Sequence, residues 1–290
     1  MQIQKSFKGQ TTSGILYLVA TPIGNMEDMT FRAIKTLEEV DLIAAEDTRN
    51  TGLLLKHFDI STKQVSFHEH NAKERIPELV DFLLGGKSVA QVSDAGLPSI
   101  SDPGQDLVKA AVKVGISVVT IPGASAGISA LIASGLSPQP HIFYGFLPRK
   151  SGQQKAFFEE KKQYPETQIF YESPHRMKAT LENMFDVYGD RKAVLVRELT
   201  KIYEEYRRGM ISELLASIDE TPLKGECLLI VEGAGEIGLS DVSDEVVMTE
   251  ISALMQDGMK TTKAIKQVAK KYGLSKSELY ARFHEETGEA

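Results

Sequence analysis

The sequence predicts an α/β fold of two α/β domains in series, the first built on a mostly parallel sheet, followed by a small helical module. Three observations carry that expectation. Between Ile15 and Gly135 short apolar runs alternate five times with helix-periodic segments, the pattern of a parallel sheet covered on both faces. The segment SPQPHIFYGFLPRKSG, from Ser137 to Gly152, carries three prolines and breaks that rhythm before a second alternation begins. Beyond GAGEIGLSD only helical periodicity remains. The expected boundaries are therefore 13–137, 138–237 and 242–290.

In the first domain the expected strands are ILYLVA, LIAAE, QVSFH, SVAQVS and SVVTIP. The helices between and after them are FRAIKTLEEV, TGLLLKHF, ERIPELVDFLL, DLVKAAVKV and AGISALIASG. Asp102 followed by Pro103 is a preferred N-cap and first-turn pair for the fourth helix. In the second domain HIFYGF reads either as linker or as a strand, and TQIFYES, KAVLVREL and ECLLIVEG read as strands. Met177, Leu181, Met184 and Tyr188 fall on one face of the helix HRMKATLENMFDVYG and are expected in the core. The first twelve residues read as a frayed tail.

The formal charge of -7 excludes a chain that is basic all over, so any nucleic-acid contact must come from a local patch. A single cysteine, Cys227, excludes a disulfide within the chain and leaves no basis for a cysteine zinc site. No run approaches the length of a membrane span, and the N-terminus has no apolar signal core. A cytoplasmic protein without membrane association is expected.

Chemistry concentrates where strands end. The first strand runs into ATPIGN, a tight turn with a polar tip at Asn25, and the second into AEDTR, where Glu46, Asp47 and Arg49 leave the sheet together. Asp47 or Thr48 also suits the cap of the following helix. The third strand ends in His68, Glu69, His70 and Asn71; two histidines without a third ligand do not make a metal site, and no metal is expected. Asp94 stands where SVAQV stops, the edge at which open α/β sheets bind ligands, and no capping role explains it. The fifth strand ends in IPGAS, and in the second half YESPHR leaves Glu172, His175 and Arg176 beside a Ser173–Pro174 helix start. Six such strand ends predict a cleft between the domains. No GxxxxGK[ST] loop is present, and no GxGxxG follows the first strand.

ATPIGN, AEDTR, SDAGLPSISDPG, IPGAS and YESPHR, in this order over nearly the whole chain, resemble the tetrapyrrole methylase superfamily, in particular its members that act on ribosomal RNA. The resemblance implies a homodimer that binds S-adenosylmethionine between its domains and methylates the ribose 2′-oxygen of a decoding-centre cytidine in 16S ribosomal RNA of the small subunit. In the wider superfamily the first turn is glycine-rich and the fourth-strand loop begins GDP. The ATPIGN and SDAG found here weigh against precorrin-type substrates.

Carried over motif by motif, the resemblance implies cofactor contacts at Ile23, Asp94, Leu97, Ser125, Ala126, Tyr171, Leu199 and Cys227. It supplies no general base. Asp47, Glu46, Glu172 and His175 are the available proton acceptors, and Arg49 and Arg176 suit phosphate as bidentate donors. Catalysis is expected at Glu46, Asp47, Arg49 and Glu172, and RNA contact at Asn25, His68, His175 and Arg176. Two rival readings are a tetrapyrrole C-methyltransferase and a non-catalytic ribosome-assembly factor.

The terminal segment has helix-turn-helix spacing: Ala264, Ile265, Val268 and Ala269 on one face, Gly273, Leu274 and Ser275 as turn and cap, then Leu279, Tyr280 and Phe283. From Lys260 to Phe283 seven Lys or Arg face one Glu, a local balance of 7 - 1 = +6. That concentration, including Lys270 and Lys271, predicts contact with RNA phosphates.

Overall fold

Apolar runs without polar alternation pair side by side into one parallel sheet. Its strands are β1 (Ile15–Val19), β2 (Leu42–Ala45), β3 (Gln64–Ser66), β4 (Val89–Val92) and β5 (Ser117–Ile121), in the order β3-β2-β4-β1-β5. The computed structural model describes residues 3–5, 13–100, 104–235, 244–272 and 276–287. The expected cap at Asp102 and Pro103 lies outside them.

Strand alternation sends successive side chains to opposite faces. On one face α1 (Phe31–Glu39) and α2 (Thr48–His57) bury Leu37, Leu54 and Leu55 over Ile43, Ala90 and Val92. On the other α3 (Ala72–Leu84) and α4 (Gly104–Lys113) bury Leu79, Leu83 and Leu107 over Leu16, Leu42 and Val89. Both faces are thus covered, as expected.

The fifth helix, α5 (Ala126–Ser134), does something else. It packs on the second sheet, whose strands β6 (His141–Phe146), β7 (Thr167–Glu172), β8 (Lys192–Arg197), β9 (Glu205–Met210) and β10 (Cys227–Val231) run in the order β6-β7-β10-β8-β9. HIFYGF is therefore a strand, parallel to β7, while the remaining pairings are antiparallel. Ala130 and Leu131 of α5 bury against Ile169, Val194, Val196, Leu228 and Ile230. Burial of Leu131 alone contributes about 2 kcal/mol. Arg208 of β9 donates to the carbonyls of Ser134 (3.0 Å) and Ala133 (2.8 Å), satisfying orphan acceptors at the α5 C-terminus, where Gly135 is left-handed. The opposite face of the sheet carries α6 (Ser151–Lys161), α7 (Pro174–Tyr188) and α8 (Ile211–Glu220), with Met177, Leu181, Met184 and Tyr188 in the core as expected.

The last three helices are α9 (Asp244–Gln256), α10 (Thr261–Tyr272) and α11 (Lys276–Thr287). They close a core of their own from Val247, Ile251, Ala264, Ile265, Val268, Leu279 and Phe283. Tyr280 departs from the expected apolar face and is exposed. The expected turn at Gly273, Leu274 and Ser275 lies outside the described residues, as do the side chains of Lys270 and Lys271. Among the described residues no helix is long and apolar enough to cross a membrane.

Candidate active site

In this strand order the chain runs from β1 outward to β2 and β3, then returns to β4 and crosses to β5 on the far side. Connections therefore diverge around β1 and β4, the place where open α/β sheets hold ligands. The two loops there are tied together. Thr21 and Gly96 exchange backbone hydrogen bonds of 2.9 and 3.0 Å, and the Thr21 hydroxyl donates to Ser93 O at 3.2 Å.

Two glycines allow a third loop to join. At Gly96 (φ +75°) a Cβ would stand 3.3 Å from Ile23 Cγ2 and 3.5 Å from Ala124 O. At Gly123 a Cβ would meet Ala20 Cβ at 2.7 Å, too close for any other residue without movement. The ends of β1, β4 and β5 thus converge through backbone approach, bringing together the neighbourhoods of Ile23, Asp94, Leu97, Ser125 and Ala126. Leu97, Ser125 and Ala126 are half-buried and Asp94 is exposed.

The second domain reaches the same place. Burial raises the pKa of the Tyr171 hydroxyl, partly offset by the Gly127 backbone at the start of α5. Leu199 follows β8 between Glu198 and Thr200, two non-glycine residues with φ of +50° and +68°. That loop presents Lys201 to the β1 turn: a Cβ on Gly24 would lie 2.5 Å from Lys201 Cγ. Lys201 pairs with Glu198 (3.0 Å) and Glu226 (2.9 Å), so the segments carrying Leu199 and Cys227 meet beneath the turn that carries Ile23. Cys227 itself is buried, and burial pushes its thiol up to about 11. At neutral pH it is a packing thiol and not a nucleophile.

The AEDTR corner adjoins these loops. The Asp47 side chain N-caps α2, accepting from Arg49 N at 2.8 Å, and also pairs with the Arg49 guanidinium. The expected cap is therefore formed by Asp47. Arg49's side-chain bonds and its backbone N–H hold the Asp47 carboxyl down to about 2. Because the folded pKa is depressed, the stabilisation is present above the ordinary carboxylate range and is lost as pH falls toward about 2. An acceptor that acid is a weak base at neutral pH. Glu46 Oε2 accepts from Asp94 N at 3.2 Å, which joins the corner to the β4 loop.

Glu172 is placed differently from the expectation of a spare acceptor. Its side chain is fully buried and accepts from Ser173 N (2.8 Å) and the Thr180 hydroxyl (2.9 Å), with Arg176 at 3.2 Å. Arg176 in turn donates to the carbonyls of Leu147 and Pro148. These two residues brace the start of α7. Glu172→Ala is expected to cost about 3 kcal/mol by stranding those donors, read as a lower urea midpoint; an unchanged midpoint would return Glu172 to the available acceptors. His175 is exposed, Asn25 caps the short 3-10 turn Met26–Asp28, and His68 stands 5.9 Å from His70, ring to ring. Among the described residues no three His, Cys, Asp or Glu are grouped to hold a metal.

Thr21, Gly96 and Lys201 were not singled out by the sequence, whereas Gly123 was expected as a turn residue after the fifth strand. Thr21 and Gly96 lie inside conspicuous loop strings, but Lys201 is an ordinary lysine with no local signal.

A parallel sheet, a helix that leaves it to pack on a mixed sheet, and strand-end loops of both sheets drawn together define a two-sheet α/β protein. Comparison with known proteins makes the class specific. Residues 15–215 match the family described as Tetrapyrrole (Corrin/Porphyrin) Methylases. A Streptococcus pyogenes serotype M1 protein named ribosomal RNA small subunit methyltransferase I is 66% identical over 98% of this chain and 100% of its own length. The Bacillus subtilis protein of that name is 47% identical over 97% and 98%. Among solved structures, a diphthine synthase aligns with TM-score 0.59 at 14% identity, covering 76% of this chain and 90% of its own. The uroporphyrin-III-C-methyltransferase from Thermus thermophilus gives 0.51 at 20% identity, covering 76% and 94%. These distant structures share the fold. The chain belongs to the tetrapyrrole methylase family and groups there with the ribosomal RNA small subunit methyltransferase I proteins.

Proposed function

We propose that this protein transfers a methyl group from S-adenosylmethionine to the 2′-oxygen of a cytidine ribose at the decoding centre of small-subunit (16S) ribosomal RNA. The names of its relatives support ribosomal RNA as substrate. The observation that carries the reading is the joining of two sites: the AEDTR corner is hydrogen-bonded, through Glu46, to the loop that closes the cleft. A convergence of loops through Gly96 and Gly123 fits a cofactor held largely by backbone groups, which explains why its expected neighbours are chemically plain.

When bound, S-adenosylmethionine supplies an electrophilic methyl carbon. Ile23, Asp94, Leu97, Ser125, Ala126, Tyr171, Leu199 and Cys227 form the wall that binds it. Arg49, oriented by Asp47, grips a phosphate beside the target cytidine and so fixes the ribose hydroxyl. Glu46 remains the corner's proton acceptor, because Asp47 is too acid and Glu172 is occupied within the core. His68, His175 and Asn25 line the RNA side. Incubating the protein with labelled S-adenosylmethionine and either small ribosomal subunits or a tetrapyrrole separates the readings; label in the tetrapyrrole alone would sink this one.

The outer face of α5 supports the homodimer: Ile132 is 74% exposed and Ile128 stands one turn away, also exposed. Ile132→Glu is expected to shift sedimentation from dimer to monomer. The helices from Asp244 onward act as an RNA-binding module, with Lys260, Lys263, Lys266 and Lys276 exposed around the closed core. Deleting residues 242–290 should spare cofactor binding and weaken association with the small subunit. Changing Lys270 and Lys271 to Ala should flatten the salt dependence by about one unit for each phosphate no longer held. A truncated protein that methylates the subunit as well as the full chain across a salt series would make the lysines mere surface.

A further inference from the structure

The edge strand β6 carries aromatic residues that no step above uses. In a regular strand Phe143 and Phe146 would point to opposite faces. The β6–β7 register slips between Phe143 and Gly145, and Gly145 is left-handed at φ +68°, a bulge of the kind that re-aims side chains. Both rings consequently reach the same neighbour: Phe143 lies 4.9 Å and Phe146 5.5 Å from the Tyr171 ring, centroid to centroid. Phe146 is nevertheless 66% exposed. Phe143 also packs against the Gly127 position of α5, so the cluster adjoins the start of that helix.

Cations follow at once in the chain. Arg149 and Lys150, exposed, come directly after β6, and the backbone between them and Phe146 is pinned. Pro148 O accepts from Arg176 (2.7 Å) and from Gln154 (3.0 Å). An exposed aromatic face followed within four residues by exposed cations is the combination that holds single-stranded nucleic acid, by stacking and by phosphate attraction. We propose that Phe146, backed by Phe143 and Tyr171, stacks an unpaired RNA base while Arg149 and Lys150 hold the adjoining phosphates, positioning the strand at the cleft. This rests on RNA being the substrate. The pairing of an aromatic face with cations favours a single nucleic-acid strand, which offers a stackable base and a phosphate at every residue, over a second copy of the chain.

The test uses the full-length protein and a single-stranded RNA oligonucleotide carrying 2-aminopurine, whose fluorescence is quenched on stacking. The parent should bind with quenching, and Phe146→Ala should lose the quenching and weaken binding by about tenfold. Phe146→Trp should retain both, and S-adenosylmethionine affinity should be unchanged in each, which separates the effect from misfolding. The double change R149A/K150A should reduce the slope of log affinity against log salt by about 1.4. Equal quenching and affinity in Phe146→Ala would overturn the proposal, as would a change from dimer to monomer on that substitution, which would make the cluster an interface between copies. Methylation of small subunits by the parent, with KM unaltered in Phe146→Ala, would overturn it while leaving the methylation reading intact.

Discussion

Gly96→Val is expected to weaken S-adenosylmethionine binding by about ten- to a hundredfold, the equivalent of roughly 1.4 to 2.8 kcal/mol. The residue holds φ +75°, where a branched side chain is strained, and any Cβ there stands 3.3 Å from Ile23 and 3.5 Å from the Ala124 carbonyl. The substituted loop relaxes away from that conformation, and binding must then restore it. The strain is therefore read as lost affinity more than as unfolding. Calorimetry should show the weakened binding in a protein whose urea midpoint stays close to the parent's. Parent-like affinity in the valine variant would mean that the convergence of the β1, β4 and β5 loops is packing alone. Asp94→Ala, on the same loop, should cost about 1 to 3 kcal/mol if the carboxylate accepts a hydrogen bond from the ligand.

The second large effect is expected at Arg49. Arg49→Ala should leave S-adenosylmethionine affinity nearly intact and reduce methylation of the small subunit at least tenfold, about 1.4 kcal/mol or more in transition-state terms. Its guanidinium is exposed and is held by Asp47 through Nε and Nη2; the phosphate contact proposed above is what this substitution tests. Asp47→Asn keeps a capping oxygen for α2 but frees the guanidinium, so it should lower activity while barely changing stability. Since the Asp47 carboxyl is held down to about 2, its titration should be absent from the activity profile between pH 5 and 9. Full activity in Arg49→Ala would reduce the corner to a helix cap.

Much of the fold was legible because burial leaves a periodic trace. The five parallel strands, the helix stripe of Met177, Leu181, Met184 and Tyr188, and the separate helical end all followed from spacing. The path of α5 was not, since AGISALIASG reads as a buried helix whichever sheet it covers; the decisive partner, Arg208, lies far along the chain. Strand direction in the second sheet was equally silent, because apolar runs look alike in either sense. In the site, strand-end position pointed to Asp94 and AEDTR, whereas the burial of Glu172 depended on Thr180, well inside α7. Lys201 was invisible for a related reason: its neighbours Glu198 and Thr200 adopt left-handed backbone that no residue type there announces.

Whether this chain is a ribose methyltransferase is decided by nucleoside analysis of 16S ribosomal RNA, after small subunits lacking the modification are incubated with the protein and methyl-labelled S-adenosylmethionine. Label is expected in 2′-O-methylcytidine, at a decoding-centre position, and is expected to disappear with Arg49→Ala. Label on a base, on another nucleotide's ribose or on protein, with none in 2′-O-methylcytidine, would contradict the assignment.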